Sequence, residues 1–344
     1  MRMVCECYEL LLVSFVFIRR FASVYGKIKH MTKFIKPLSQ ISKKDVGIAG
    51  GKGASLGEMI KARISVPPGF VILASAFEQF LAETDLQVEI KTQLKKINYK
   101  DINLVDQASN VIRDLIHDAR MPKDLGREIL AEFKKLKAKF VAVRSSATAE
   151  DSTQASWAGE LETYLNTTEK NLLGRVKQCW SSLFTPRAIF YRFEKGMRNS
   201  KVSVAVVIQR MVESEISGIA FTVHPVTKNK NQMIIEASFG LGEAIVSGQI
   251  TPDSYVLDKR NFQILDINLA SKTKMLVRKN IGGNVWQPVV RGKEEAQALS
   301  KSQIVILAKI CLQIERHYKK PQDIEWAYSK GKFYITQSRP ITTL

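Results

Sequence analysis

The sequence predicts an α+β protein built as two lobes, and three observations predict it. Helix-period apolar patterns dominate up to about residue 200, and short β-type runs dominate after it. Glycine- and proline-marked turns punctuate both stretches. Apolar residues make up 45% of the 344, enough for a sizeable core. The expected division is an N-terminal extension (1–30), a helix-rich first lobe (31–200) and a strand-rich second lobe (201–344), with a cleft between the lobes.

Leu10 to Ile18 is a short apolar run flanked by Glu6, Glu9 and the pair Arg19-Arg20. It falls short of the roughly 18–20 apolar residues of a membrane span, and its charges sit on the wrong sides for a secretion signal. Residues 1–30 therefore read as a disordered extension or an over-called start, with Met31 as the natural one. Gly47 to Gly53 reads as a glycine-rich loop before a helix over Ala54–Ala62. Pro67-Pro68-Gly69 turns into a strand, Phe70 to Leu73, and Ser75 caps a helix through Ala82. Helical patterns follow near Asp106–Arg120 and Pro122–Ala138, then a buried-type strand, Phe140 to Val143, and an extended small-residue loop, Arg144 to Gly159.

Helices are expected over Thr168–Trp180 and from Pro186 to Lys195. Strands are expected over Val202–Ile208, Ile219–Val223, Gln232–Ala237, Tyr255–Asp258 and Phe262–Ile267. Lys301 to His317 carries apolar residues at helical spacing. The chain closes on a hairpin, Ile324–Tyr328 and Phe333–Gln337, about a tight turn.

The charge is lopsided: 52 Lys+Arg against 33 Asp+Glu, a net +19. Such a surface favours anionic partners. The basic residues are spread along the chain without interleaved aromatics, so no nucleic acid partner is expected, and no membrane. Cys5, Cys7, Cys179 and Cys311 have no zinc or disulfide spacing and read as thiols of a reducing cytoplasm. His30, His117, His224 and His317 have no sequence neighbour suggesting a catalytic pair.

Four constellations could carry chemistry. Gly50 to Leu56 places Lys52 among glycines ahead of a helix, which fits a phosphate site and a structural turn equally; Gly53 after the lysine excludes a Walker A loop. Arg144 leaves a buried strand into a small-residue loop, well placed to fork onto a polyphosphate. Gly240 to Gly248 lacks the third glycine of a dinucleotide fingerprint. In the closing hairpin, residues two apart share a face, so Asp323 points with Glu325 and Gln337 with Arg339. Paired strands would bring two carboxylates, a carboxamide and an arginine together, a hard-oxygen set suited to Mg²⁺, with a surface salt-bridge ladder as the alternative.

The motifs GGKGASLGEMI (50–60), VPPGFVI (66–72), VRSSATAEDS (143–152), ASWAGELETYL (155–165), VIQRMV (207–212), SGIAFTVHPVT (217–227), GLGEAIVSGQITPDSYV (240–256) and DIEWAY with ITQSRP (323–340) occur in one order. Together they resemble the N-terminal ATP-binding domain of the phosphoenolpyruvate synthase family, shared with pyruvate, phosphate dikinase and rifampicin phosphotransferase. The resemblance covers about 31–344. It implies an ATP-grasp-type fold with ATP in the interlobe cleft. Lys52, Arg144 and Arg339 would act on the triphosphate as catalytic and binding residues, and the segment Gly159–Thr163 would close over it. Gln209, Met211 and Val212 would form the adenine hinge, and Glu325 and Gln337 would ligate Mg²⁺ with Asp323 beside them.

The family passes a phosphoryl from ATP to a histidine on a swivelling domain and then to its acceptor. No histidine of this sequence lies in a Thr-Ser-His-type segment, and the chain stops soon after Pro340, ahead of any pyruvate-binding barrel. The expected role is the Mg·ATP half of a phosphoenolpyruvate synthase-like kinase, incomplete without histidine and pyruvate/phosphoenolpyruvate domains on another chain. The alternatives are a rifampicin phosphotransferase-like or dikinase-like ATP domain, and a stand-alone nucleotide-binding regulatory module.

Overall fold

The computed structural model describes residues 34–148, 162–196 and 203–342. The first part of the chain runs β1 (Ile35–Pro37), α1 (Val46–Lys61), β2 (Gly69–Ile72), α2 (Ala74–Glu83), α3 (Leu86–Lys95), α4 (Ile102–Asp118), α5 (Lys123–Lys135), β3 (Val141–Ala147), β4 (Thr163–Thr167), α6 (Glu169–Ser181), α7 (Pro186–Glu194) and β5 (Val204–Arg210). Its strands form one sheet in the order β1-β2-β5-β3-β4. The rest runs β6 (Ile216–Phe221), β7 (Gln232–Phe239), a short α8 (Glu243–Val246), β8 (Asp253–Asp258), β9 (Ile264–Asn268), β10 (Lys274–Arg278), β11 (Asn284–Pro288), α9 (Lys301–Tyr318), β12 (Gln322–Ser329) and β13 (Lys332–Pro340). Six of these strands form a second sheet, β13-β12-β6-β7-β8-β9, while β10 and β11 make a separate ribbon.

The mixed helix-and-sheet class is as expected. The first sheet is buried on both faces, and period-two geometry writes this into β5: Val204, Val206 and Ile208 join the core under the helices, while Ala205 and Val207 join the other core. That first core gathers around Trp180, with Phe77 and Phe80 packed on its ring at centroid distances of 5.6 and 5.0 Å. The second core combines Val71 and Val207 of the first sheet with Ile235, Tyr255 and Trp326 of the second and the apolar stripe of α9. Ser300 and Gln303 cap that helix reciprocally.

The changeover between sheets lies between Arg210 and Ile216, because β5 inserts between β2 and β3. Two expectations need correction. Arg144 is interior to a strand and not the first residue of a loop, since β3 continues to Ala147 with every residue buried. The segment 47–53 is no open loop either. It belongs to α1, broken only at Gly50, whose φ of 70° and ψ of 171° lie outside helical space. A side chain at Gly50 would collide with Ser146, whose hydroxyl also accepts from Gly53 N (3.2 Å) and donates to Ala49 O (2.9 Å). The glycines let a helix lie against β3.

The ribbon β10–β11 and the short β1 and β4 were not foreseen. In the ribbon most residues are only half-buried, so no apolar face writes a period into the sequence. Among the described residues no helix is long and apolar enough to cross a membrane.

Candidate nucleotide-binding site

Between the two sheets lies a cleft of about 260 Å³, floored by Arg144 and Gln209 on one side and by Glu325 and Thr336 on the other. Strand alternation aims Arg144 at it, and the sheets bring partners far apart in the chain to its guanidinium. Arg144 Nη1 donates to Thr336 O (2.6 Å) and Gln209 Oε1 (3.3 Å); Nη2 donates to Gln337 Oε1 (2.5 Å) and Glu325 Oε2 (3.2 Å). Its Nε and the Nε2 of Gln209 are buried without a hydrogen-bond partner among the described residues. Two donors left so at a cleft wall suit a ligand rich in acceptors.

The hairpin forms in the expected register: Asp323 opposes Arg339 and Glu325 opposes Gln337, with a bulge after Glu325. All four therefore share one face. Asp323 accepts from Arg339 Nε (2.8 Å) and pairs with its Nη2 (2.7 Å). Glu236, on β7, joins this face because Ile219 of β6 opposes both Glu325 and Glu236. Burial raises the pKa of Asp323, with Glu325 adding to the rise and Arg339 opposing it. Burial, then the nearby Asp323, raises Glu236.

Met211 and Val212 line the cleft with Gln209, and Thr163 enters its wall because it opposes Arg144 in the β3–β4 register. Gly159 lies outside the described residues. Lys52 is on α1, half-buried, and not among the residues lining this cleft. Its helix is nevertheless tied to the hairpin: Ser55 Oγ donates to Ser338 O (2.8 Å), between Gln337 and Arg339, and Tyr318 OH donates to Ser55 O (3.2 Å).

Sequence reasoning missed Glu243, Ser217 and Leu241, which line the same cleft. Burial raises the Glu243 carboxyl, partly offset by the hydrogen bond it accepts from Asn284 Nδ2. Its signal was the GLGE motif, which fails as a dinucleotide fingerprint and enters the sequence reading only through the family resemblance. The fold uses the described histidines: His117 bonds Ser181 Oγ (2.7 Å), His317 bonds Glu58 (2.9 Å), and His224 Nδ1 accepts from Val226 N and Thr227 N. Cys179 and Cys311 are buried free thiols, pushed up in pKa by burial.

Could these residues hold Mg²⁺? Among the described residues no group of three or more His, Cys, Asp or Glu converges to cage a metal. The pair Glu325–Gln337 offers one carboxylate and one carboxamide oxygen side by side. That suits a hard cation which takes its remaining oxygens from phosphates and water.

The model of the pyruvate phosphate dikinase AMP/ATP-binding domain matches residues 46–344. The chain belongs to this family. Relatives of the AMP/ATP-binding domain family member include the probable phosphoenolpyruvate synthase of Methanocaldococcus jannaschii, 48% identical over 91% of this chain and 27% of its own length. The phosphoenolpyruvate synthase of Pyrococcus furiosus is 42% identical over 91% of this chain and 44% of its own length. The rifampicin phosphotransferase of Bacillus subtilis is 39% identical over 91% of this chain and 36% of its own length. The chain spans less than half the length of each.

Proposed function

We propose that this cleft binds Mg·ATP between two ATP-grasp-type lobes and that the domain supplies phosphoryl groups in a phosphoenolpyruvate synthase-like system. The observation that carries it is the convergence of Arg144 with Glu325 and Gln337 at the cleft floor. A guanidinium beside a hard-oxygen pair is what a metal–triphosphate needs: planar donors for phosphate oxygens and ligands for the ion bridging them. Arg144, Arg339 and Lys52 take the triphosphate, Lys52 from α1, which Ser55 ties to the hairpin. Gln209, Met211, Val212 and Leu241 surround the base, and Glu243 accepts from ribose hydroxyls. Glu325 and Gln337 hold Mg²⁺, which when bound screens the phosphate charge. Asp323 orients Arg339 through their ion pair, and the segment from Gly159 to Thr163 closes over the phosphates.

The overall reaction of such a system is ATP, pyruvate and water to phosphoenolpyruvate, AMP and phosphate, through a phosphohistidine on a separate domain, in the cytoplasm. The rifampicin phosphotransferase relative supports a second reading with the same donor site and a different acceptor. Calorimetric titration of Mg·ATP into the full chain tests the nucleotide reading, and phosphate on a supplied histidine domain tests the transfer. Binding with transfer is expected. Binding without transfer would leave a regulatory nucleotide module, and no binding would overturn the reading of the cleft.

A further inference from the structure

The nucleotide cleft continues past the hinge into a smaller compartment of about 190 Å³. Val212, Ser214 and Leu241 line both spaces; Asn166 and Arg278 belong to the smaller one. Two buried atoms of these residues, Asn166 Oδ1 and Arg278 Nε, have no hydrogen-bond partner among the described residues. Asn166 is only 2% exposed, so its oxygen is cut off from bulk water. Leaving such an acceptor unpaired is costly, and a matched ligand atom would restore the missing bond.

A relay of side chains fixes which end of the Asn166 amide is left over. Asn284 donates its amide nitrogen to Glu243 Oε2. The Asn284 oxygen then accepts from Asn166 Nδ2 at 2.6 Å. What remains at Asn166 is its oxygen, and what remains at Arg278 can only donate. The wall therefore offers one acceptor and one donor. Its roof is held in place by the ribbon β10–β11, where Arg278 pairs with Glu213 and lies over the Phe140 ring.

We propose that Asn166 Oδ1, with Arg278 Nε in the same wall, reads the amino edge of adenine and makes Asn166 the residue that selects adenine over 6-oxopurine nucleotides. This rests on the nucleotide reading of the cleft. Adenine carries an exocyclic amine donor beside a ring-nitrogen acceptor, whereas guanine carries a carbonyl oxygen at that position. The carbonyl would meet Asn166 Oδ1 lone pair to lone pair and leave both unpaired. Sites built to bond a donor discriminate strongly against an analogue that lacks it.

The test is calorimetric titration of the full chain with the Mg²⁺ complexes of three triphosphates: ATP, the purine riboside triphosphate lacking the 6-amino group, and inosine triphosphate. ATP should bind about tenfold more tightly than the desamino analogue, and inosine triphosphate more weakly still. Asn166→Gly, which suits the positive φ of 52° there, should abolish the preference, so that ATP and the desamino analogue bind the variant with equal affinity. Should this variant fail to fold, as judged by circular dichroism, the three-ligand series on the unmodified protein decides alone. Equal affinity for ATP and the desamino analogue overturns the proposal while leaving the nucleotide site standing. A retained tenfold preference in folded Asn166→Gly moves recognition away from Asn166 and also overturns it. If none of the three binds, the nucleotide reading falls, and this proposal with it.

Discussion

The closing hairpin and the glycine-rich segment make an instructive pair. Both were singled out in the sequence as phosphate or metal chemistry, and the structure treats them differently. In β12–β13 the expected face forms, with Asp323 opposite Arg339 and Glu325 opposite Gln337. At 47–53 the expected open loop is a helix pressed onto β3, and Gly50 serves close approach to Ser146. Strand alternation is a property of the backbone itself and survives any tertiary context. Glycine says only that a side chain is unwanted, and a packed neighbour excludes one as firmly as a ligand does.

The largest effect that could break this contrast is Gly50→Ala. The new methyl meets the Ser146 hydroxyl and carbonyl at a positive φ, so strain and overpacking should together cost about 3 kcal/mol of stability in denaturant titration. A variant that lost ATP affinity at unchanged stability would return the segment to a phosphate-loop role. Next in size, Glu325→Gln should weaken Mg²⁺-dependent nucleotide binding on the order of 100-fold while the affinity measured in chelator barely moves. Loss in both conditions would mean the carboxylate serves the fold and not the ion.

Ser55→Ala probes the tie between the two regions. Losing the bond to Ser338 O should cost about 1 kcal/mol of stability and weaken ATP binding a few-fold, since Lys52 and Arg339 are then held less firmly together. An unchanged affinity would show that α1 and the hairpin act independently.

The smallest effect concerns Glu236, whose native pKa is raised by burial and by Asp323. Between the ordinary carboxylate value and this raised one, the native state binds more protons than the unfolded chain, so this group makes stability fall as pH rises. Glu236→Gln should therefore raise the melting temperature at neutral pH by roughly 2 °C and lose that advantage in acid below the ordinary carboxylate range. The opposite sign would mean that the ionised carboxylate is satisfied in place.

What the sequence determined by itself was local. It yielded the α+β class, the apolar stripe of the helix after Ser300, the helix led by Pro186, and the hairpin's shared face. Each follows from covalent periodicity or from a cap within a few residues. Only the tertiary structure decided that β5 crosses into the first sheet, that Arg144 spans from Gln209 to Gln337, and that Glu236 joins the acidic face through two strand registers. The chain Glu243–Asn284–Asn166 is of the same kind, joining three elements that share no sequence period. Such contacts are chosen by how sheets stack and which buried polar atoms must find partners. That is a condition on the whole packed molecule, and no window of sequence expresses it.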